Sequence, residues 1–257
     1  MVGFFIKKAF FDGWDNLIAL IILNLGYVVL LGFGYLVTTA LEISNVLALI
    51  VVIVWLCAVQ FYNGVVSFFT FEFVKYKRPG IREFFDYARQ VLPYIPLICI
   101  VTVAVAIIMF LVLPFYMATP GLLGAVSVAI MFWVLVFAVL SMQYYYPVAA
   151  QLGDPPLKVL KKSMLLTLDN LGFTFFLFIY TCFNTVISVL TAFLVPGIAS
   201  VLMSHQVALR LRMMKYDYME EHPEAKKRDI PWYALLIDER KKIGPRSLRG
   251  MIFPWKE

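Results

Sequence analysis

Charge is scarce in this chain and unevenly spread. Asp, Glu, Lys and Arg make up 15% of the 257 residues, and four long stretches hold none of them: 16–41, 43–71, 90–153 and 170–209. Soluble domains carry about 25% charged residues, so an ordinary water-soluble fold is excluded. The chain has two histidines, too few for a His-rich metal centre. Three cysteines, Cys57, Cys99 and Cys182, lie deep in apolar runs, odd in number and distant in sequence from either His. That spacing argues against a disulfide framework or a zinc site and for small helix-packing residues. The motifs of common enzyme chemistries are missing as well: there is no H-E-x-x-H, no G-x-S-x-G, no P-loop pattern and no intramembrane carboxylate pair. No catalytic residue, metal or cofactor is expected, and the reading is non-enzymatic.

What fills the chain is apolar: 62% of residues are hydrophobic. The expected fold is an all-α polytopic membrane helix bundle, with six transmembrane helices arranged as three hairpins and amphipathic elbow helices at the interface. Residues 1–15 interleave Phe4, Phe5, Phe10, Phe11 and Trp14 with Lys7, Lys8, Asp12 and Asp15, which reads as an interfacial helix with its aromatic side towards lipid and its charged side towards water. The apolar run that follows is too long for a signal-peptide core and has no cleavage pattern. Helices are expected at about 17–41, 46–71, 91–117, 122–150, 170–194 and 197–215. The uncharged stretch 90–153 is too long for one crossing and divides at Pro114 and Thr119-Pro120-Gly121; Pro196-Gly197 divides the last stretch. Residues 1–215 form the transmembrane bundle and 216–257 a cytosolic tail. Helix 197–215 is short before Arg210 and Arg212, which must snorkel to the interface, unless the segment is re-entrant or tilted.

The distribution of Lys and Arg orients this arrangement. All 22 fall in the amino-terminal segment, the loops around 72–89 and 151–169, and the carboxy-terminal portion; the three expected outer loops hold none. By the positive-inside bias both termini lie on the cytoplasmic side of a cell's inner membrane. The net charge of +6 is then explained by loops facing anionic membrane lipids, without invoking nucleic acid.

Three elbows share a plan. Phe10-Phe11-Asp12-Gly13-Trp14-Asp15-Asn16-Leu17 resembles Phe84-Phe85-Asp86-Tyr87-Ala88-Arg89-Gln90-Val91, and Asp169-Asn170-Leu171 repeats the first ending. Each returning helix carries a glutamine: Gln60, Gln143 or Gln206. Together with Asn24, Asn63, Asn184 and His205 these are the candidate ligand-binding residues. They either pack helices by interhelical hydrogen bonds or line a polar cavity. Gly13, Gly26, Gly32 and Gly34 suit close packing better than a phosphate loop.

The tail is rich in aromatics, Pro and Arg. Trp232, Tyr233, Arg246, Arg249, Phe253 and Trp255 are candidate partner contacts, because Trp and Arg anchor interfaces. The tail either folds back under the bundle or docks on a partner or on lipid headgroups. The aromatic first elbow, the Glu83-Phe84-Phe85 core of the first charged loop, the Tyr144–Pro147 run and the Lys158–Lys162 elbow resemble the YesL-like integral membrane proteins of bacteria. The resemblance implies an accessory role beside carbohydrate uptake systems, with a transporter subunit as candidate partner. It supplies no catalytic residues, and the tail departs from it. The alternative is a small-solute or lipid transporter or binding protein using the amide-lined interior.

Overall fold

The computed structural model describes residues 1–224 and 230–246, and every regular element among them is helical. The elements are α1 (Val2–Asp15), α2 (Leu17–Ile43), α3 (Asn45–Val74), α4 (Ile81–Val91), α5 (Ile95–Ile107), α6 (Leu113–Met117), α7 (Leu122–Leu152), α8 (Pro156–Asp169), α9 (Leu171–Leu190), α10 (Gly197–Glu221), α11 (Trp232–Leu235) and α12 (Ile237–Ile243). Five helical stretches are long and apolar enough to cross a membrane: α2, α3, the continuous run 81–117, α7 and α9. The protein is therefore membrane-embedded by the length and composition of its helices. Large side chains such as Ile18, Val29, Leu49, Phe110 and Trp133 stay uncovered by protein, as lipid-facing residues do.

The run 81–117 bends without breaking. Pro93 and Pro96 lack the N–H that a helix interior needs, and the backbone there tightens to a 3-10 turn at Leu92–Tyr94. Ahead of Pro114 it widens to a π turn at Ile108–Val112, which accommodates the proline, so the helix ends only after Met117. Pro114 thus does not divide the stretch; the Thr119-Pro120-Gly121 turn does, with Gly121 at φ +87°. Two other boundaries differ from expectation. Helix α9 stops at Leu190, where Ala192 and Phe193 turn left-handed, and α10 continues to Glu221, six residues past the expected tail boundary.

The core sits at one end of the long helices. Buried residues cluster at Leu20–Tyr27 of α2, Gly64–Val74 of α3 and Leu140–Ala149 of α7, the ends nearest the charged segments. Helix α10 is the hub. Its Ala199, Met203, Val207, Ala208 and Leu211 are all fully covered, and it packs against α1, α2, α3, α7 and α9.

The elbow likeness has a conformational counterpart. Asn16 and Asn170 adopt nearly the same backbone angles (φ −116°, ψ 19° and φ −131°, ψ 37°). Each amide donates back to the carbonyl four residues earlier, Asp12 O at 2.8 Å and Leu166 O at 3.1 Å. The third elbow, α4, instead continues into α5.

Among the four glycines, Gly26 is the one that geometry demands. A Cβ there would lie 2.1 Å from the Tyr62 hydroxyl, which donates to Leu23 O at 2.7 Å. Gly34 lies under Trp55 and Gly13 against Met203 at ordinary contact distance, while Gly32 faces open space. Gly26→Ala is expected to displace the Tyr62 ring and lower stability by about 1–3 kcal/mol, with Gly32→Ala unchanged, both read by thermal melting in detergent.

Candidate functional site

The most unusual arrangement lies where the amino-terminal elbow, the first charged loop and the tail meet. Lys8 and Asp12 are one turn apart on α1, on the face that also carries Phe5. Phe5 stands edge-on to Phe173, Phe176 and Tyr180 of α9, so α1 is fastened to protein on that side. The sequence suggested that the charges of α1 face water. Instead Lys8 is 0% and Asp12 3% exposed, because α10, the loop after α3 and the tail cover them. Phe10 and Trp14 are the exposed aromatics.

A buried charge in protein persists only with partners. Lys8 Nζ lies 2.9 Å from Asp12 Oδ2 and 3.0 Å from Glu239 Oε2 on α12, and donates to the Tyr76 hydroxyl at 2.7 Å. Tyr76 in turn donates to Glu239 Oε2 at 3.0 Å. The other oxygen of Glu239 accepts from Arg210 Nη2 at 2.7 Å and Nε at 3.2 Å. Arg210 therefore does not snorkel; a carboxylate from the tail, 2% exposed, meets it. Asp15 and Arg246 form a two-pronged pair nearby, at 2.7 and 3.0 Å. Leu236 and Ile243 bury alongside. The tail is folded back on α1 and α10 over residues 230–246.

The two carboxylates respond differently to burial. Desolvation pushes the Asp12 carboxyl up to about 6, against the attraction of Lys8. Its Oδ2 pairs with the ammonium but makes no aligned hydrogen bond. Burial would raise Glu239 too, but Lys8 and Arg210 together hold it below the ordinary glutamate range. A carboxyl raised in the folded state stabilises at low pH and loses that contribution as pH rises. Asp12 should therefore subtract on the order of 2–3 kcal/mol from stability between about pH 4 and pH 6. Asp12→Asn is expected to flatten that part of a melting-temperature profile; an unchanged slope would refute the assignment.

The amide residues are engaged within the chain. Asn24 caps α10, receiving Ala199 N–H and donating to Leu194 O and Pro196 O. Gln60 donates to Thr102 and accepts from Tyr146, and Asn63 accepts from Tyr27. Gln143 reaches the Thr174 carbonyl at 3.5 Å, with its Oε1 buried and without a partner. Asn184 bonds its own helix at Tyr180 O, His205 pairs with Thr181 at 2.8 Å, and Gln206 donates to Ser67. Gln60 and Gln143 follow one rule, each joining its helix to the helix that follows the next elbow. Of this set only Asn184 lines a cavity described in the structure, an apolar crevice of about 380 Å³ between α1 and α9.

Comparison with family models, with curated proteins and with solved structures gives no match. Geometry alone ranks the candidates. Of the expected partner contacts, Tyr233 is 73% exposed, Trp232 lies beside Arg212, and Arg246 is bound to Asp15. Arg249, Phe253 and Trp255 lie outside the described residues. Sequence reading missed Lys8, Asp12, Tyr76, Arg210 and Glu239 as a group. The one signal was Lys8 and Asp12 four residues apart beside aromatics. Cys57 on α3 and Cys99 on α5 are free cysteines. Among the described residues no cluster of His, Cys, Asp and Glu could hold a metal.

Proposed function

We propose that this protein is a non-enzymatic accessory or scaffold protein of a bacterial cytoplasmic membrane. It crosses six times as three hairpins, keeps both termini in the cytoplasm and engages a membrane protein partner through its basic face and tail. The observation that carries the reading is the buried contact between the two chain ends. Lys8 of α1 and Glu239 of α12 share an ion pair, so the segments on either side of the bundle lie on one side. An even number of crossings follows, and α10 supplies the sixth. Its sequence is the least apolar of the long helices because neighbouring helices, rather than lipid, cover it. The loop after α3 joins through Tyr76, and the end of α8 joins α10 through Asp169 and Lys215 at 2.7 Å. The segments that hold the described lysines and arginines thereby converge on one face, as the positive-inside bias favours.

Three buried charges, Lys8, Asp12 and Glu239, together with the partly exposed Arg210, hold the tail in one place. Such networks favour a defined arrangement more than raw stability, which suits a surface that must be presented in a fixed pose. That surface shows Tyr233, Lys241 and Lys242 outwards. The resemblance to the YesL-like family favours a partner in a carbohydrate uptake system. A solute or lipid path through the amides has less behind it, since those side chains are engaged by the chain itself.

Two experiments test the reading. Cysteines introduced at Glu42 and Thr119 should react with an impermeant maleimide from outside intact cells, and Lys241→Cys should not; labelling of Lys241→Cys overturns the topology. Tyr233→Ala/Lys241→Glu/Lys242→Glu should abolish co-purification of a specific membrane partner while Gln60→Leu preserves it. The reverse pattern overturns the scaffold reading in favour of the transporter.

A further inference from the structure

A cavity of about 280 Å³ opens between the start of α9, the charged half of α10 and the tail; Arg212, Lys215 and Trp232 are among its walls. We propose that it binds a phosphate-type oxyanion, carried by an anionic phospholipid headgroup or free in solution.

Arg212 carries the argument. Arg210 has Glu239, Lys215 has Asp169 and Arg246 has Asp15, but Arg212 forms no ion pair among the described residues. Its Nε is buried without a hydrogen-bond partner. The guanidinium lies over Phe173, 4.1 Å from the ring centre, with Trp232 at 5.8 Å. Stacking of this kind fixes the plane of the group and leaves its edge donors for an oxyanion, which Arg recognises through parallel N–H bonds. A guanidinium so placed, half-sheltered from water and unmatched by any carboxylate at contact distance among the described residues, is suited to receive an anion.

The surroundings fit the same ligand. Lys215 is buried and its ammonium is held by Asp169 Oδ2 at 2.7 Å and Asn170 Oδ1 at 3.0 Å. Asp169 also accepts from the Tyr216 hydroxyl at 2.7 Å, which turns it away from full repulsion of an anion. Among the described residues, two cations against one carboxylate give the cavity lining a positive balance. The backbone adds to it. Asn170 precedes α9 but does not cap it: its Oδ1 accepts from Lys215, and its amide nitrogen donates to Leu166 O and to the Tyr216 hydroxyl. The first N–H groups of α9 border the cavity uncapped, and the space where a Cβ on Gly172 would stand is empty. The cavity sits on the charged face, at the depth where headgroups lie in the proposed orientation. The site itself stands on Arg212 and the cavity, independently of any protein partner.

The test uses full-length protein in an uncharged maltoside detergent, titrated by calorimetry with dihexanoyl phosphatidylglycerol and, separately, with inorganic phosphate. Expected is saturable one-to-one binding of at least one probe, weakened about tenfold or more by Arg212→Gln and partly restored by Arg212→Lys. Lipid binding without phosphate binding identifies the headgroup as the source; phosphate binding alone identifies the free ion. Trp232→Ala, which opens a wall in the peripheral tail, provides a second variant should Arg212→Gln fail to fold, and should also weaken binding. Failure of both probes to bind, or binding unaffected by these substitutions, overturns the site.

Discussion

Glu239→Ala is expected to destabilise the protein by about 3–5 kcal/mol, the range for breaking a buried ion pair from one side. The carboxylate is 2% exposed and serves Lys8, Arg210 and Tyr76 at once. Removing it leaves two cations facing each other with only Asp12 between them. Lys8 has no route to water along α1, so the least costly response is for the tail to lift away and let water reach the network. Amide hydrogen exchange should therefore accelerate in α12 and in the second half of α1, while α7 stays protected. Glu239→Gln keeps the shape and loses the charge; it should show most of the same loss. It should also lower the Asp12 carboxyl, since Glu239 is one of the charges that raise it. The fall in stability from about pH 4 to pH 6 should then shrink. A Glu239→Gln protein that melts like the parent and exchanges no faster in α12 would show that the network is incidental.

The contrast between what the sequence shows and what it hides follows from what covers each helix. Helices α2, α3 and α7 are covered mostly by lipid, so their apolar length marks them. The elbows ended where Asp15-Asn16-Leu17 and Asp169-Asn170-Leu171 repeat, because a side-chain amide bonding back four residues is a local device that spacing reveals. Helix α10 is surrounded by protein, and protein tolerates Ser204, His205, Gln206 and Arg210 where lipid would not. Hydropathy has no means to tell such a helix from a surface one. The Lys8 to Glu239 pair joins positions 231 residues apart, and nothing local to either residue announces the other. The same reasoning explains α1. An amphipathic sequence declares two faces, but which face meets lipid and which meets protein is settled by the tail that arrives last.

The second large effect should come from Asn24. Its three hydrogen bonds, 2.9 Å from Ala199 N, 2.9 Å to Leu194 O and 3.0 Å to Pro196 O, are made by one side chain that is fully buried within α2. Pro196 carries no side chain that can accept from the first turn of α10, so two other helices serve it: Ser188 Oγ of α9 accepts the Gly197 N–H at 2.9 Å and Asn24 accepts the Ala199 N–H. The turn before it exposes carbonyls as the chain reverses through left-handed Ala192 and Phe193, and two of these are the ones Asn24 satisfies. Gly197, at φ +71°, lies so close that a Cβ would fall 2.0 Å from the Asn24 amide nitrogen. Neither residue has room to change alone. Asn24→Leu keeps the branching and the number of side-chain heavy atoms, removes all three bonds and leaves buried backbone groups short of partners. Interhelical hydrogen bonds inside membranes average below 1 kcal/mol each, but unsatisfied backbone groups add about 1–3 kcal/mol apiece, so a loss of about 3 kcal/mol is expected. Exchange should speed at the first turn of α10, and the His205 to Thr181 bond one side of the hub makes should loosen with it. Asn24→Ser, which keeps one acceptor, should recover part of the loss. If Asn24→Leu melts within a degree of the parent protein, the cap does not hold α10, and that helix must be fixed by its packing and by the tail.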